Sequence, residues 1–257
     1  MIRSLIMQTH SAGKDGFRLR GTDVSRLEAL SDAVFGFAIT LLVVSLEVPQ
    51  TATELFNVMR GFVAFAACFA LLFLVWWHQH RFFRRYGLND GVTTVLNGVL
   101  LFVVLFFVYP LKFVFGLVVA MATGERPWLI QPGGGDVPVL QNGQWPMLMV
   151  VFSAGYIAVF AVFALLHLHA LRCRETLELT EVEVFDTVGN VRESALNVSV
   201  GVLSILLALF GGMLGPMLAG CAYWLIGPVM WINGMVAGRA RNRLVSRLAA
   251  DGRLALG

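Results

Sequence analysis

An arginine, a serine and an aspartate stand at the mouth of an apolar segment long enough to enter a bilayer. The run is Arg26-Leu-Glu-Ala-Leu30-Ser31-Asp32-Ala-Val-Phe-Gly-Phe37-Ala-Ile-Thr40-Leu41-Leu-Val-Val44. Charged groups at that depth are costly, and those that persist mark ion pathways, proton relays or the ties that orient a helix. Two roles are open for Ser31 and Asp32. Either can cap free N–H groups at a helix N-terminus, where a carboxylate also complements the dipole. Alternatively, Asp32 pairs with Arg26 or with a polar group on a neighbouring helix, and so fixes the rotation of the segment.

Histidine provides the second set of candidates. His78 and His80 follow Trp76-Trp77, and His167 and His169 end a later apolar run. Two His-x-His pairs suggest a metal. On a helix, however, positions i and i+2 point about 200° apart, so one pair does not easily share an ion. Histidines bonded to polar groups of neighbouring helices are the simpler reading. Asn97, a turn or two into another apolar run, needs an interhelical partner for its amide and belongs to the same kind of network. No Walker, Rossmann, Gly-x-Ser-x-Gly or His-Glu-x-x-His signature occurs. No Thr-Val-Gly-Tyr-Gly filter occurs either, which excludes a conventional potassium-channel pore loop. The three cysteines, Cys68, Cys173 and Cys221, form no CxxC pair and imply neither a disulfide framework nor a zinc site.

The elements that must hold these groups are membrane spans. The chain is 58% hydrophobic and 14% charged, where a soluble domain carries about 25% charged residues. Its mean hydropathy is +0.76. A bilayer core needs about 20 apolar residues of helix. Six segments meet that length: about 31–49, 57–78, 92–120 (interrupted by Pro110), 146–170, 195–213 and 216–237. Residues 121–145, with a Gly133-Gly-Gly135 triplet and flanking prolines and tryptophans, read as an external loop. Residues 171–194, rich in glutamate, read as a solvated cytoplasmic linker, with a partly helical one as the alternative. Residues 1–25 and 238–257 are the tails. Of the 19 lysines and arginines, all but Arg60, Lys112 and Arg126 fall on the side shared by the two tails. The positive-inside rule then places both termini in the cytoplasm, consistent with an even number of spans. The fold expected is a single all-α membrane domain.

Within the first span, Phe37, Leu41, Val44 and Val48 recur on one helical face, with Thr40 and Ser45 on its flanks. Such a stripe either faces lipid and neighbouring helices or lines a narrow pore, where bulky apolar rings gate by dewetting.

Arg26-x-x-x-Leu30-Ser31-Asp32 and the apolar run after it resemble the Arg-x-x-x-Phe-Ser-Asp signature of the transmembrane protein 175 family, potassium channels that lack the usual filter. Trp76, Trp77 and His80, with Arg81-Phe82-Phe83, are similar to that family's second span, and Asn97 and Pro110 to its third. The resemblance implies six spans per chain, a homotetramer, and a central pore lined by the first helix of each subunit. It implies a constriction of Phe37, Leu41 and Val44 with Thr40 beside it. It also implies a network of Arg26, Ser31, Asp32, Trp76, Trp77, His80 and Asn97 that holds the pore helix. Leu30 stands where the signature has phenylalanine, and Phe37 where isoleucine or leucine is expected at the narrowest ring. The expectation is a potassium-preferring, passive cation channel of the inner (plasma) membrane. Its partners are potassium ions, the bilayer and further copies of the chain, with no cofactor and no nucleic acid. Two rivals remain. One is a proton- or ion-coupled transporter using Asp32 and His80. The other is a metal-dependent membrane enzyme using the four histidines.

Overall fold

Length and apolarity dictate the architecture, because a backbone crossing lipid must satisfy its own hydrogen bonds and does so as helix. The computed structural model describes residues 17–251 apart from 22, 45–49, 53–55, 57–58, 60, 125–127, 131–135 and 139–142. Val48, Ser45, Arg60, Arg126 and the glycine triplet therefore lie outside the described residues. Among those described, six stretches are long and apolar enough to cross a membrane. Five are single helices: Arg26–Val44 (α1), Phe62–Tyr86 (α2), Gly91–Ala122 (α3), Trp145–Arg172 (α4) and Glu181–Phe210 (α5). The sixth stretch, Gly212–Ala250, is broken. It contains the helices Gly215–Ala222 (α6) and Ile226–Ala250 (α7), with 3-10 turns at Gly212–Leu214 and Tyr223–Leu225. Pro228 accounts for the second turn, since its ring cannot coexist with a helical bond to the carbonyl four residues earlier.

Several edges differ from hydropathy. Thr180 and Glu183 form a reciprocal capping box, which starts α5 at Glu181, inside the stretch expected to be a linker. The expected tail is helical as far as Ala250. α3 runs unbroken through Pro110. Within residues 121–145, Trp128–Ile130 (β1) and Asp136–Pro138 (β2) pair antiparallel, with Trp128 opposite Pro138, a small departure from an all-helical chain. α2 ends at Gly87, whose φ of 60° permits the left-handed cap and whose N–H bonds the Phe83 carbonyl at 2.8 Å.

The core is one continuous cluster from Phe35 and Leu42 on α1, through Leu100, Val104 and Leu111 on α3, to Phe163 and Leu166 on α4. α1 packs on α2 and α3, α3 on α4, and α4 along α5, which in turn carries α6 and α7. Gly155 lets α4 approach α3 closely, because a Cβ there would collide with the Phe107 ring.

A short segment before α1 is strapped to the same end of the bundle. Phe17 is buried edge-on against Tyr86, with the Arg85 guanidinium 4.7 Å from its ring centre. The Arg20 guanidinium reaches Glu183 at 2.7 and 3.1 Å and the Leu177 carbonyl at 2.8 Å. Glu183 is thus a buried, paired carboxylate, where the acidic run 171–194 had suggested only wetted surface.

Candidate functional site

α1 starts one turn before the residues proposed as its cap. The Ser25 hydroxyl accepts from the Glu28 N–H at 3.1 Å, and the Ser25 carbonyl takes the first helical bond, from Ala29, at 2.9 Å. Ser25 is therefore the N-cap. Ser31 and Asp32 lie in the second turn, where their side chains serve other purposes. The capping role offered for them is corrected accordingly.

Ser31 faces inward. Its hydroxyl donates to the Leu27 carbonyl at 2.8 Å and accepts from the Asn97 amide at 2.9 Å. The Asn97 oxygen in turn accepts from the Gln79 amide at 3.0 Å. All three side chains are fully buried, and together they join α1, α3 and α2 by directional bonds. A buried polar group left without its partner costs about 1–3 kcal/mol, so the chain of bonds strongly favours one rotation and depth of α1. Gln79 keeps one unpartnered buried atom, its Oε1.

Asp32 sits on the flank of the same helix, where it accepts from the Trp76 indole N–H at 2.7 Å. The partner is thus on a neighbouring helix. Arg26 is exposed on the first turn, and the Asp32–Arg26 alternative is not the one adopted. His80 stacks on Trp76, with ring centres 5.3 Å apart and planes 18° apart, and its Nδ1 lies 3.4 Å from Glu28 Oε1. Trp77 stands on the outer side of this stack, half uncovered, 6.1 Å from the His80 ring centre. Ser31, Asp32, Trp76, His80 and Asn97 are therefore gathered at one end of α1, with Arg26 and Trp77 at the rim.

Two members escaped the sequence reading. Glu28 is a carboxylate buried under His80, and Gln79 is the donor that completes the Asn97 amide. Glu28 falls three residues before Ser31, on the face that the helix buries. Gln79 is a lone amide within a span. Both signals were visible, but neither named its partner.

The buried face of α1 reads Glu28, Ser31, Phe35, Ala38 and Leu42, the spacing of a helix seated on one side. Its opposite face is bare in the protomer. Phe37 is 68% and Val44 78% exposed; Thr40 is exposed and Leu41 half-buried at the boundary. The Thr40 hydroxyl donates to the Phe37 carbonyl at 2.8 Å, so its oxygen lone pairs remain as acceptors.

The four histidines diverge. His78 and His167 each use Nδ1 on the carbonyl one turn earlier, Leu74 and Phe163, at 2.8 Å. His80 faces Glu28, and His169 Nε2 meets Asp90 at 2.8 Å. Among the described residues no three His, Cys, Asp or Glu side chains converge as metal ligands do. Asp90 also caps α3, accepting from the Val92 N–H and the Thr93 hydroxyl. Partial burial pushes its carboxyl up. The bond from Thr93 and the charge and bond of His169 outweigh that and hold it below the usual carboxylate range.

Comparison with known proteins gives consistent results. Residues 26–107 match the family described as endosomal/lysosomal potassium channel TMEM175. A protein of Marivirga tractuosa described as a potassium channel is 36% identical over 232 residues, 89% of this chain and 94% of that protein. Potassium channel Cha6605_3372 of Chamaesiphon minutus is 34% identical over 97 residues, 35% of this chain and 48% of that protein. The crystal structure of the potassium channel MtTMEM175 T38A variant, in complex with a nanobody–MBP fusion, superposes with a TM-score of 0.75. Its sequence identity is 34%, over 89% of this chain and 99% of that one.

Proposed function

The chain belongs to the TMEM175 family, and on that premise we propose that it is a potassium-preferring channel in which the bare face of α1 lines a pore shared by four copies. The observation that carries this reading is the asymmetry of α1. One face is held by Ser31, Asp32, Asn97 and Gln79 to the rest of the protomer. The other leaves Phe37, Thr40 and Val44 exposed among the described residues.

Four such helices around an axis bring four phenyl rings to one level, with Val44 and Leu41 extending the neck. A narrow apolar neck excludes water below a critical width and passes an ion only when the rings part or the ion sheds part of its shell. The Thr40 oxygen, left free to accept, offers a polar step beside Phe37 where the dehydrated cation is least stable. Potassium holds its water less tightly than sodium, so a constriction of this chemistry favours it. The buried bonds do not touch the ion. They keep the helix from rolling and thereby fix which side chains meet the axis.

The clustering of arginine at one end of the helices supports cytoplasmic termini, as the positive-inside rule requires, and an inner-membrane location. The family's members named above are channels, so no reaction is assigned and the metal-enzyme rival falls away. Asp32 and His80 contact Trp76 from different sides, an arrangement that serves anchoring better than relay.

Potassium flux into liposomes, with sodium as comparison, tests the reading. Phe37→Ala is expected to change flux and the potassium/sodium ratio. Unchanged values for both would remove Phe37 from the constriction. Mass measurement in detergent tests the assembly, and a stable monomer or dimer would refute an axial pore.

A further inference from the structure

α2, α5 and α7 border an open cleft of about 420 Å³ that the proposed pore does not use. Four arginines line it, Arg81 and Arg85 from α2, Arg192 from α5 and Arg241 from α7, against two carboxylates, Asp186 and Glu193. The lining therefore keeps a positive surplus. Both acids also have partners of their own. Arg241 Nε donates to the two Asp186 oxygens at 2.8 and 3.1 Å, and Glu193 lies 3.9 Å from His78 Nε2. Arg85 is only 6% exposed, so its charge is not that of a solvated surface side chain. Asn190 and Asn233 add amides to the wall. Gly189, Gly234 and Gly238 leave the helix surfaces bare there, since a Cβ at any of them would meet nothing within 4 Å.

This chamber continues into the apolar interior. A narrow neck shares Arg81, Arg85 and Glu193 with it and reaches His78 and Phe160. His78 and Phe160 also border an apolar cavity of about 370 Å³ that extends past Leu111 and Val159 to Trp224. A cationic head on an apolar groove is the negative image of an anionic amphiphile.

We propose that the arginine-lined chamber binds a phosphate-bearing anion, held as the headgroup of an anionic phospholipid whose acyl chain follows the apolar groove. Guanidinium groups match phosphate oxygens in paired, charge-assisted bonds. Basic pockets between spans at headgroup depth are where such lipids bind. The chamber lies at the end of the bundle that also carries the Ser31–Asn97–Gln79 anchor and the strap at Arg20. Soluble phosphate offers the same chemistry, and the experiment separates the two sources.

Purified full-length protein in mild detergent is titrated with phosphatidic acid, phosphatidylcholine or inorganic phosphate and read by native mass spectrometry. Phosphatidic acid is expected to bind at least about tenfold tighter than phosphatidylcholine, and the R81Q/R192Q double variant to lose about tenfold or more of that affinity. Both changed residues are exposed, so the fold is expected to tolerate them. R172Q/R174Q, which removes two exposed arginines outside the chamber, controls for general attraction and is expected to bind as the parent does. Phosphatidic acid that inorganic phosphate fails to displace supports the lipid. Inorganic phosphate that binds alone and displaces it, with the same dependence on Arg81 and Arg192, overturns the lipid assignment in favour of a soluble phosphate. Equal binding of the two lipids, or equal loss in both double variants, overturns the site.

Discussion

The first helix and the bundle of α4–α7 use the same kind of buried hydrogen bond to different ends. In the bundle, Ser204 donates to the Ala219 carbonyl at 3.0 Å and accepts from Ser153 at 2.9 Å, while the Tyr223 hydroxyl donates to Ser153 at 2.8 Å. Tyr156 donates to Asn197 close by. Those bonds sit among helices packed on more than one side, where any one of them is a small share of what fixes the geometry. Among the described residues α1 is covered on one side only. Lipid tails are as apolar as leucine and give helices no hydrophobic reason to associate, so the few directional bonds at Ser31 and Asp32 largely decide how α1 is turned. A helix seated this way can present its free face to an ion path, and its sensitivity to mutation is expected to concentrate in those few groups.

The sharpest way to break this contrast lies within α1 itself. Phe35 is 2% exposed and Phe37 is 68% exposed, two residues apart on opposite faces. Phe35→Ala is expected to cost about 3–5 kcal/mol, as core phenylalanine truncations do. Phe37→Ala is expected to stay within about 0.5 kcal/mol in protomer stability while altering flux. Unfolding in denaturing detergent beside the liposome assay checks both. Equal destabilisation by the two variants would mean that α1 is not one-sided. Next in size, Asn97→Leu leaves the buried Gln79 amide without its acceptor and takes away the bond that the Ser31 hydroxyl accepts, while Ser31 keeps its own bond to Leu27; it is expected to cost about 1–3 kcal/mol. Ser204→Ala in the packed bundle should cost about 1 kcal/mol or less. The reverse order would overturn the claim that direction matters more where packing is thin.

How much of this could be read from the sequence depends on range. Six spans follow from residue type and length alone; the helical period puts Phe37, Leu41 and Val44 on one face with Thr40 on its flank, but not whether that face is covered, and the structure exposes Phe37, Thr40 and Val44 while Leu41 is half-buried. Helix starts were legible only where the right cap was chosen. Thr180-x-x-Glu183 carried a capping box, yet hydropathy placed the span well after it, because an amphipathic first turn lowers a window average. The start of α1 was misplaced because Ser31 and Asp32 looked like caps while Ser25, the true one, stood outside the apolar run. Pairings across helices were legible only as needs. Asn97 plainly wanted a partner, but that Gln79 and Ser31 supply it depends on how α2 and α3 cross, which no single segment encodes. The strap of Arg20 on Glu183 joins residues far apart in sequence and had no local signal.

The smaller effects refine the comparison at its edges. Trp76→Phe keeps a ring to stack on His80 and removes the N–H that Asp32 accepts. It is expected to cost about 1 kcal/mol and to shift the potassium/sodium ratio through the turn of α1. A change in stability with no change in the ratio would reduce Asp32 to a packing role.

A last effect is expected at Asp90, the N-cap of α3. Its carboxyl is held below its ordinary value of 3.8 in the folded protein. The folded state therefore binds that proton less readily than the unfolded chain. The carboxylate's contribution is present in full above the ordinary value and is lost as pH falls through it towards the lowered one. Asp90→Ala should cost about 1 kcal/mol near neutrality, the usual worth of an N-cap, and progressively less below pH 3.8. Ser25→Ala removes a cap that carries no charge, so its cost should not change over the same range. The two caps thus separate a titrating tie at the head of α3 from a neutral one at the head of α1. Parallel pH profiles for the two variants would show that the folded protein does not hold the Asp90 carboxyl below its ordinary value.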